Sequence, residues 1–428
     1  MKKDPSPSPS LAFPGSDDIT RVVLDNGIVV LTRANFHSPS VYISGYVTAG
    51  NLFDPDEKLG LAYFTASALM RGTQRRDFQQ IYDALESVGA SLGFSGDVHS
   101  SSFSGRALAE DLPLVLSLLS DALREPTFPK TQVERLRTQI LTGLAIRAQD
   151  TSEMAGLVFD ELLYADHPYA RPEDGYPETV QAITREDLAE FHRLHYGPRG
   201  MVIAVVGAVE PQAAVEQVAR LLGDWQNPSQ PEPPALPPFH PPQESRRKHH
   251  VIPGKSQTDI DMGAPGPMRR DPDYLAAALG NSVLGQFGLM GRIGDVVRER
   301  SGLAYYAYSN LNAGLGPGAW DVNAGVNPSN LERAIDLIRK ELVRFVTDGV
   351  TPQELADSQA NFIGRLPLSL ESNAGVAAAL LNIERYDLGL DYYRTYAGLV
   401  QAVTPEDVLA VARKFIDPER LVVATAGP

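Results

Sequence analysis

Two hydrophobic periods are legible along the chain, and they take turns. Val22–Thr32 (VVLDNGIVVLT) sets two β-branched runs around Asn26-Gly27, a strong signal for a tight hairpin. Val41–Val47 and the stretch around Phe94–Leu108 also read as strands. Apolar residues three and four apart predict helices over Leu59–Met70, Asp77–Val88, Leu112–Leu123, Arg185–His195 and, with interruptions, Thr131–Leu163. Further strands are predicted at Met201–Val206 and at Leu421–Thr425. Strand pairs adjacent in sequence with helices inserted between them predict an α+β fold, a mainly antiparallel sheet with helices packed on one face.

The pattern occurs twice. The segment QAITREDLAEFHRLHYGPRGMVIAVVGAV at Gln181 aligns without gaps with QAVTPEDVLAVARKFIDPERLVVATAGP at Gln401, an offset of 220 residues. Pro198 falls on Pro418 and Gly207 on Gly427, and Thr131-Gln-Val-Glu134 falls on Thr351-Pro-Gln-Glu354. Both of the latter have the spacing of a helix capping box. Self-similarity at this period means a duplicated domain. Between the copies, eight prolines lie from Pro228 to Pro242, a density that favours extended polyproline geometry and marks a linker. The expected organisation is a disordered leader over 1–17, a first domain over 18–226, a linker over 227–248 and a second domain over 249–428.

Composition narrows the function. The 428 residues are 43% hydrophobic and 21% charged, which supports a large core. The net charge of −15 repels phosphate backbones, so no nucleic-acid partner is expected. With no cysteine, thiol nucleophiles and every cysteine-based metal site are excluded. No apolar run approaches about 18 residues, so no membrane span is expected. The N-terminal MKKDPSPSPSLAFPGSDD has two lysines but no apolar stretch behind them, so no signal peptide is visible. A cytoplasmic location is the default expectation, and a periplasmic or secreted one stays open if the N-terminus is processed.

Candidate chemistry centres on Gly60–Thr73 (GLAYFTASALMRGT). Leu61, Phe64, Ala68 and Leu69 form its packing stripe, whereas Tyr63, Ala66 and Ser67 share another helical face, where a metal site would be built. The segment resembles the pitrilysin/insulinase-type zinc metallopeptidases, inverzincins that include mitochondrial processing peptidase and carry H-x-x-E-H on a helix. Gly60, Leu61, Ala62, Phe64, Gly72 and Thr73 match the family pattern, with Arg71 in place of its lysine. The likeness runs from Val22 to the C-terminus, through His167-Pro-Tyr169 and through Arg298-Glu-Arg-Ser-Gly-Leu-Ala-Tyr305. It implies two homologous domains arranged as a clamshell.

The functional positions depart from that pattern. Tyr63 and Ser67 stand where the family has its histidine ligands, Ala66 where it has the general-base glutamate, and Gly143 where it has the third ligand, a glutamate. A catalytic zinc needs imidazole or carboxylate ligands and a base for its water. The resemblance therefore implies no metal and no catalytic residue on this chain alone, with zinc expected in a homologous partner. In active members the arginine and tyrosine matching Arg298 and Tyr305 bind the substrate backbone and stabilise the oxyanion, and both are kept here. Their plainer reading is a helix-surface charge and a packed strand aromatic.

The implied function is that of a non-catalytic subunit of a heterodimeric zinc metalloendopeptidase, lending Arg298 and Tyr305 to a zinc-bearing partner for peptide hydrolysis. The acidic charge would suit a chamber wall for basic peptides. The alternative is a catalytically inert peptide-binding or scaffold protein, a homodimer without a protease partner. Other candidates read as structural. His192 and His195 match Ala412 and Phe415 of the second copy, Asp97 and His99 read as a solvated strand face, and His167 reads as a turn residue. Arg246–His250 reads as an exposed strand start, and Gly314–Gly318 as a tight loop. Leu92–Val98 is the expected edge strand for peptide pairing, weakened by its glycines.

Overall fold

Gly27, at φ 91°, turns the chain between the first two strands, as Asn26-Gly27 predicts. The computed structural model describes residues 13–428, and residues 1–12 of the expected leader lie outside the described residues. Strands β1 (Thr20–Val23), β2 (Val29–Ala34), β3 (Ser40–Val47), β4 (Ser91–Gly96), β5 (Ser101–Leu108) and β6 (Val202–Gly207) form one sheet. Its order is β1-β2-β6-β3-β5-β4. Strands β7 (Arg246–Val251), β8 (Thr258–Gly266), β9 (Ala304–Asn312), β10 (Gly318–Val326) and β11 (Val422–Gly427) form the second, ordered β7-β11-β8-β10-β9. Each sheet is antiparallel apart from one parallel pair, β2 with β6 and β7 with β11.

Local chemistry explains most helix ends. Thr184 and Asp187 close a capping box on helix Arg185–His195, and Thr404 and Asp407 do the same on Pro405–Phe415, 220 residues on. Thr351 and Glu354 form the predicted box on Pro352–Ser369. The predicted box at Thr131–Glu134 does not form. That helix, Lys130–Arg147, starts from Pro129, and the Glu134 carboxylate turns to Arg137 at 3.1 Å instead. The long helical stretch splits because Asp150 caps a second helix, Thr151–Tyr164, accepting from the Ser152 and Glu153 N–H groups at 2.9 and 3.0 Å.

On one face, each sheet packs on helices of its own half. Ile203 and Val205 of β6 join Phe64 and Leu119 in the first core, and Val423 of β11 joins Leu279 and Phe345 in the second. The other face is covered by a single helix from the opposite half, which the hydrophobic pattern did not predict. Val376, Ala377, Leu380 and Ile383 of helix Asn373–Tyr386 pack on Val202, Ala204 and Val206 of β6. Reciprocally, Val158, Phe159 and Leu163 of helix Thr151–Tyr164 pack on Val422 and Ala424 of β11. Polar contacts fix both seats. Asn373 donates to the Ser40 carbonyl at 3.1 Å, Arg21 grips Glu384 with two nitrogens, and Lys248 pairs with Glu161 at 2.6 Å.

Segment 227–245 has no helix or strand, and β7 takes up residues 246–248 of the expected linker. Residues 13–17, expected to be disordered, are tied down. Arg394 donates to the Phe13 carbonyl at 3.0 Å and pairs with Asp17, and the Ser16 N–H donates to Asp391 at 2.8 Å. No helix of the described residues is long and apolar enough to cross a membrane.

The exchange predicts that the two halves unfold as one cooperative unit. The chain has two tryptophans, Trp225 in the first core and Trp320 in the second. Urea unfolding followed by fluorescence of the Trp225→Phe and Trp320→Phe variants is expected to give coincident midpoints. Leu380→Ala should lower both midpoints together, with a loss of about 3 kcal/mol in unfolding free energy. Separate transitions would show that the halves unfold independently.

Candidate functional site

Helix Leu61–Ala68 is held at its start by a buried carboxylate. Asp54 accepts from the N–H groups of Gly60 and Ala62, both at 2.9 Å. Burial pushes the Asp54 carboxyl up to about 7, against the opposing pull of those N–H groups. Gly60 sits at φ 93°, and a Cβ there would come within 2.7 Å of the Asp174 carbonyl. Gly96 does the same service from β4, because a Cβ on it would lie 2.8 Å from the Tyr63 Cα. Glycine at 96 lets the edge strand lie directly on the helix.

The helix therefore has the frame of a metal site without its ligands. Tyr63 is half-buried, Ala66 is buried and Ser67 is half-buried. Gly143 is exposed on helix Lys130–Arg147, which runs alongside, with Arg71 donating to Gln139 at 3.0 Å and the Arg137 guanidinium over the Phe64 ring at 5.3 Å. A phenol, a methyl, a hydroxyl and an absent side chain do not fit zinc. Among the described residues, no group of three or more histidine or carboxylate side chains is placed to hold a metal ion.

Tyr63 looks into a cleft of about 1080 Å³ lined by both halves. Asp97 and His99 line it too. They lie not on a strand face, as expected, but in the β4–β5 turn, which Asp97 closes by accepting from the N–H groups of His99 and Ser100, both at 2.8 Å. The His99 Nε2 meets the Tyr169 hydroxyl at 2.6 Å, and burial holds the imidazole below its usual pKa. Arg385, from the exchanged helix, stacks on Tyr46 at 4.4 Å and donates to Ser100 at 2.5 Å. Gly314, Leu315 and Pro317 of the predicted tight loop line it from the second half.

The lining is acidic. Its arginines are engaged, Arg147 with Asp174, Arg171 with Asp56 at 2.8 Å and Arg385 beside Asp97 at 3.9 Å. Glu153 and Glu173 have no such partner among the described residues. Burial, reinforced by the Asp97 charge, pushes Glu173 up to about 7. No spacing in the sequence brings Arg385 to Tyr169 and Glu173, because it comes from a helix of the opposite half.

Arg298 and Tyr305 do not join Tyr63, Ala66 and Ser67. Neither lines the cleft. Arg298 is on a wide, π-type helical turn, Gly294–Glu299, its side chain 36% exposed and paired with Glu299 at 3.6 Å. Tyr305 is 82% exposed near the start of β9, so it is not the packed strand aromatic of the plainer reading. The histidines read as structural make packing and turn contacts. His192 bonds the Leu123 carbonyl at 2.9 Å, His195 packs on Phe53 and Phe191, and His167 caps a short turn. Arg246–His250 lies on edge strand β7, and β4 is the free edge of the first sheet, ending at Gly96.

Two halves of one fold around a cleft, with a helix framed for zinc, define the class. Residues 29–167 match the insulinase family (peptidase family M16) and residues 182–362 the peptidase M16 inactive domain. The chain belongs to peptidase family M16. It is 27% identical over 425 residues to an uncharacterized zinc protease of Streptomyces coelicolor, covering 97% of this chain and 90% of the relative. It is 31% identical over 223 residues to a relative named a probable mitochondrial-processing peptidase subunit beta from Arabidopsis thaliana, covering 50% of this chain and 41% of that one. A crystal structure of a peptidase M16 inactive domain from Pseudomonas fluorescens superposes with a TM-score of 0.87 at 28% identity, covering 96% and 98% of the two chains.

The packed histidines have a measurable signature. Burial pushes His192 down to about 4 from an ordinary 6.5. Below pH 6.5 the unfolded chain takes up a proton that native His192 refuses, so stability falls as pH drops toward 4. NMR titration should place this imidazole near 4, and His192→Leu should flatten the decline in unfolding free energy over that window. Added zinc should leave the His192 and His195 resonances unmoved.

Proposed function

We propose that this chain is a non-catalytic subunit of a heterodimeric zinc metalloendopeptidase, working with a homologous partner that carries the zinc. The observation that supports it best is a split. Positions 63, 66, 67 and 143 offer neither ligand nor base, yet Arg298 and Tyr305 are kept and face solvent outside the chain's own cleft. An accessible guanidinium and phenol are donors suited to negative charge developing on a peptide carbonyl in a neighbouring site. Phe287 and Leu289, 40% and 66% exposed on the glycine-rich turn packed against that segment, add apolar surface suited to a second chain. A relative named as one subunit of a peptidase is in keeping with this arrangement. On this reading the cleft is part of a peptide chamber and the chain itself binds no metal.

Reconstitution tests the reading. Peptide hydrolysis is measured for this chain, for a zinc-motif partner and for their mixture, and the mixture alone should be fully active. Arg298→Ala or Tyr305→Phe should lower kcat/KM of the mixture about tenfold or more, the size expected for a lost transition-state donor, while the two chains still co-elute. Unchanged activity in both variants would sink the shared site and leave the inert peptide-binding or scaffold protein as the reading.

A further inference from the structure

The segment that carries Arg298 and Tyr305 is tied to the second half by one polar clamp. Helix Tyr274–Gly285 does not run on into it, because Gly288, Met290 and Gly291 hold left-handed φ values of 63°, 70° and 62° and break the helical geometry. Beyond the break, Ile293 and Val297 are fully buried in the second core. Those two contacts set how deeply the π-type turn Gly294–Glu299 sits. Apolar contact is non-directional, so they do not fix how the turn is rotated.

Arg292 supplies the direction. Its side chain is 10% exposed, and its guanidinium grips Glu354 with two bonds, Nε to Oε1 at 2.8 Å and Nη2 to Oε2 at 2.6 Å. Such a fork defines an orientation as well as a distance. The remaining nitrogen, Nη1, lies 3.8 Å from Oε1 of Glu341, and neither of these buried atoms has a hydrogen-bond partner among the described residues. Glu341 stands on helix Leu331–Asp348 and Glu354 on helix Pro352–Ser369, so Arg292 fastens the segment to two helices at once. Glu354 is itself fixed, because its Oε2 also accepts from the Thr351 N–H at 2.8 Å in the capping box. Against the opposing effect of burial, Arg292 and Thr351 hold the Glu354 carboxyl down to about 2, so the clamp is charged in neutral solution.

The duplication offers an internal comparison. Glu134 is the counterpart of Glu354 at the 220-residue offset, and it pairs with Arg137 of its own helix while 55% exposed. The first half builds the matching helix with no such clamp. The half that has the clamp is the half that has Arg298 and Tyr305.

From Arg292 the chain runs through the π-type turn to β9. The Gly302 N–H donates to the Arg298 carbonyl at 2.9 Å and the Leu303 N–H to the Val297 carbonyl at 3.1 Å, which closes the turn just before Tyr305. We infer that Arg292 is a positioning residue, whose grip on Glu354 sets the angle at which Arg298 and Tyr305 are presented to a partner's active site. The inference rests on the shared site proposed above. Arg292 touches no substrate on this reading and acts only through the two residues it holds in place.

The test uses the reconstituted mixture with a zinc-motif partner and two conservative variants, Arg292→Lys and Glu354→Gln. Lysine keeps the charge and loses the fork, and glutamine keeps the helix cap and loses the charge. Each should lower kcat of the mixture about fivefold or more and change KM by less than about twofold, as misplacement of a transition-state donor does. In a chain that already carries Arg298→Ala and Tyr305→Phe, the same substitutions should cost less than about twofold, because nothing is left to position. Hydrogen exchange gives a readout free of activity. In Arg292→Lys the amides of residues 294–303 should exchange about tenfold faster or more, with those of β6 and β11 unchanged. Equal losses of kcat in both backgrounds, or unchanged exchange over 294–303, would reduce Arg292 to a general stabilising role and overturn the inference while the shared site stands. Full kcat in both variants, with Arg298→Ala still harmful, does the same. If Arg298→Ala and Tyr305→Phe leave the mixture unchanged, the shared site and the inference fall together.

Discussion

The interaction on which the rest depends is the mutual loan of one helix between the two halves. Without it, β6 and β11 would each show one apolar face to water. With it, Val202, Ala204 and Val206 are covered by helix Asn373–Tyr386, while Val422 and Ala424 are covered by helix Thr151–Tyr164. Both strands are buried along their whole length. The same two helices carry Arg385 and Asp160 into the cleft, so the contact that stabilises the sheets also builds the cleft walls. A packing requirement and the shape of the cleft are met by one piece of structure here.

The degenerate helix shows how far a scaffold can outlast its chemistry. The Asp54 cap, the left-handed Gly60 and the close approach of Gly96 set the position of helix Leu61–Ala68 against its sheet. None of them touches a metal or a substrate, and all serve packing. Exchanging a ligand for Tyr63, Ala66 or Ser67 leaves these supports in place. Loss of chemistry with retention of frame is what independent energetic roles would produce.

Much of this was legible in the chain, and the limits have physical causes. The hairpin at Asn26-Gly27, the duplication and the boundaries of helix Arg185–His195 are local signals, and the structure has them. The loaned helices also left a trace that alternation alone misses. Met201–Val206 and Leu421–Val423 are unbroken apolar runs, as strands buried on both faces must be. The capping box at Thr131 does not form because the helix starts at Lys130, which puts Thr131 inside it and not at its N-cap. Arg385 meets Tyr169 and Glu173 only through tertiary folding, and no spacing in the sequence brings it to them. The exposure of Tyr305 was equally hidden, since an aromatic in a strand is as readily buried as bare.

The proline-rich segment between the halves has a consequence beyond joining them. Each half offers its neighbour a helix and takes one in return, the self-complementary exchange of a two-fold dimer. Tethering two such units in one chain makes their meeting intramolecular, at an effective concentration that depends on the length and stiffness of the tether. The halves then stay assembled however dilute the protein becomes, and the cleft between them persists in any cell that makes only a few copies.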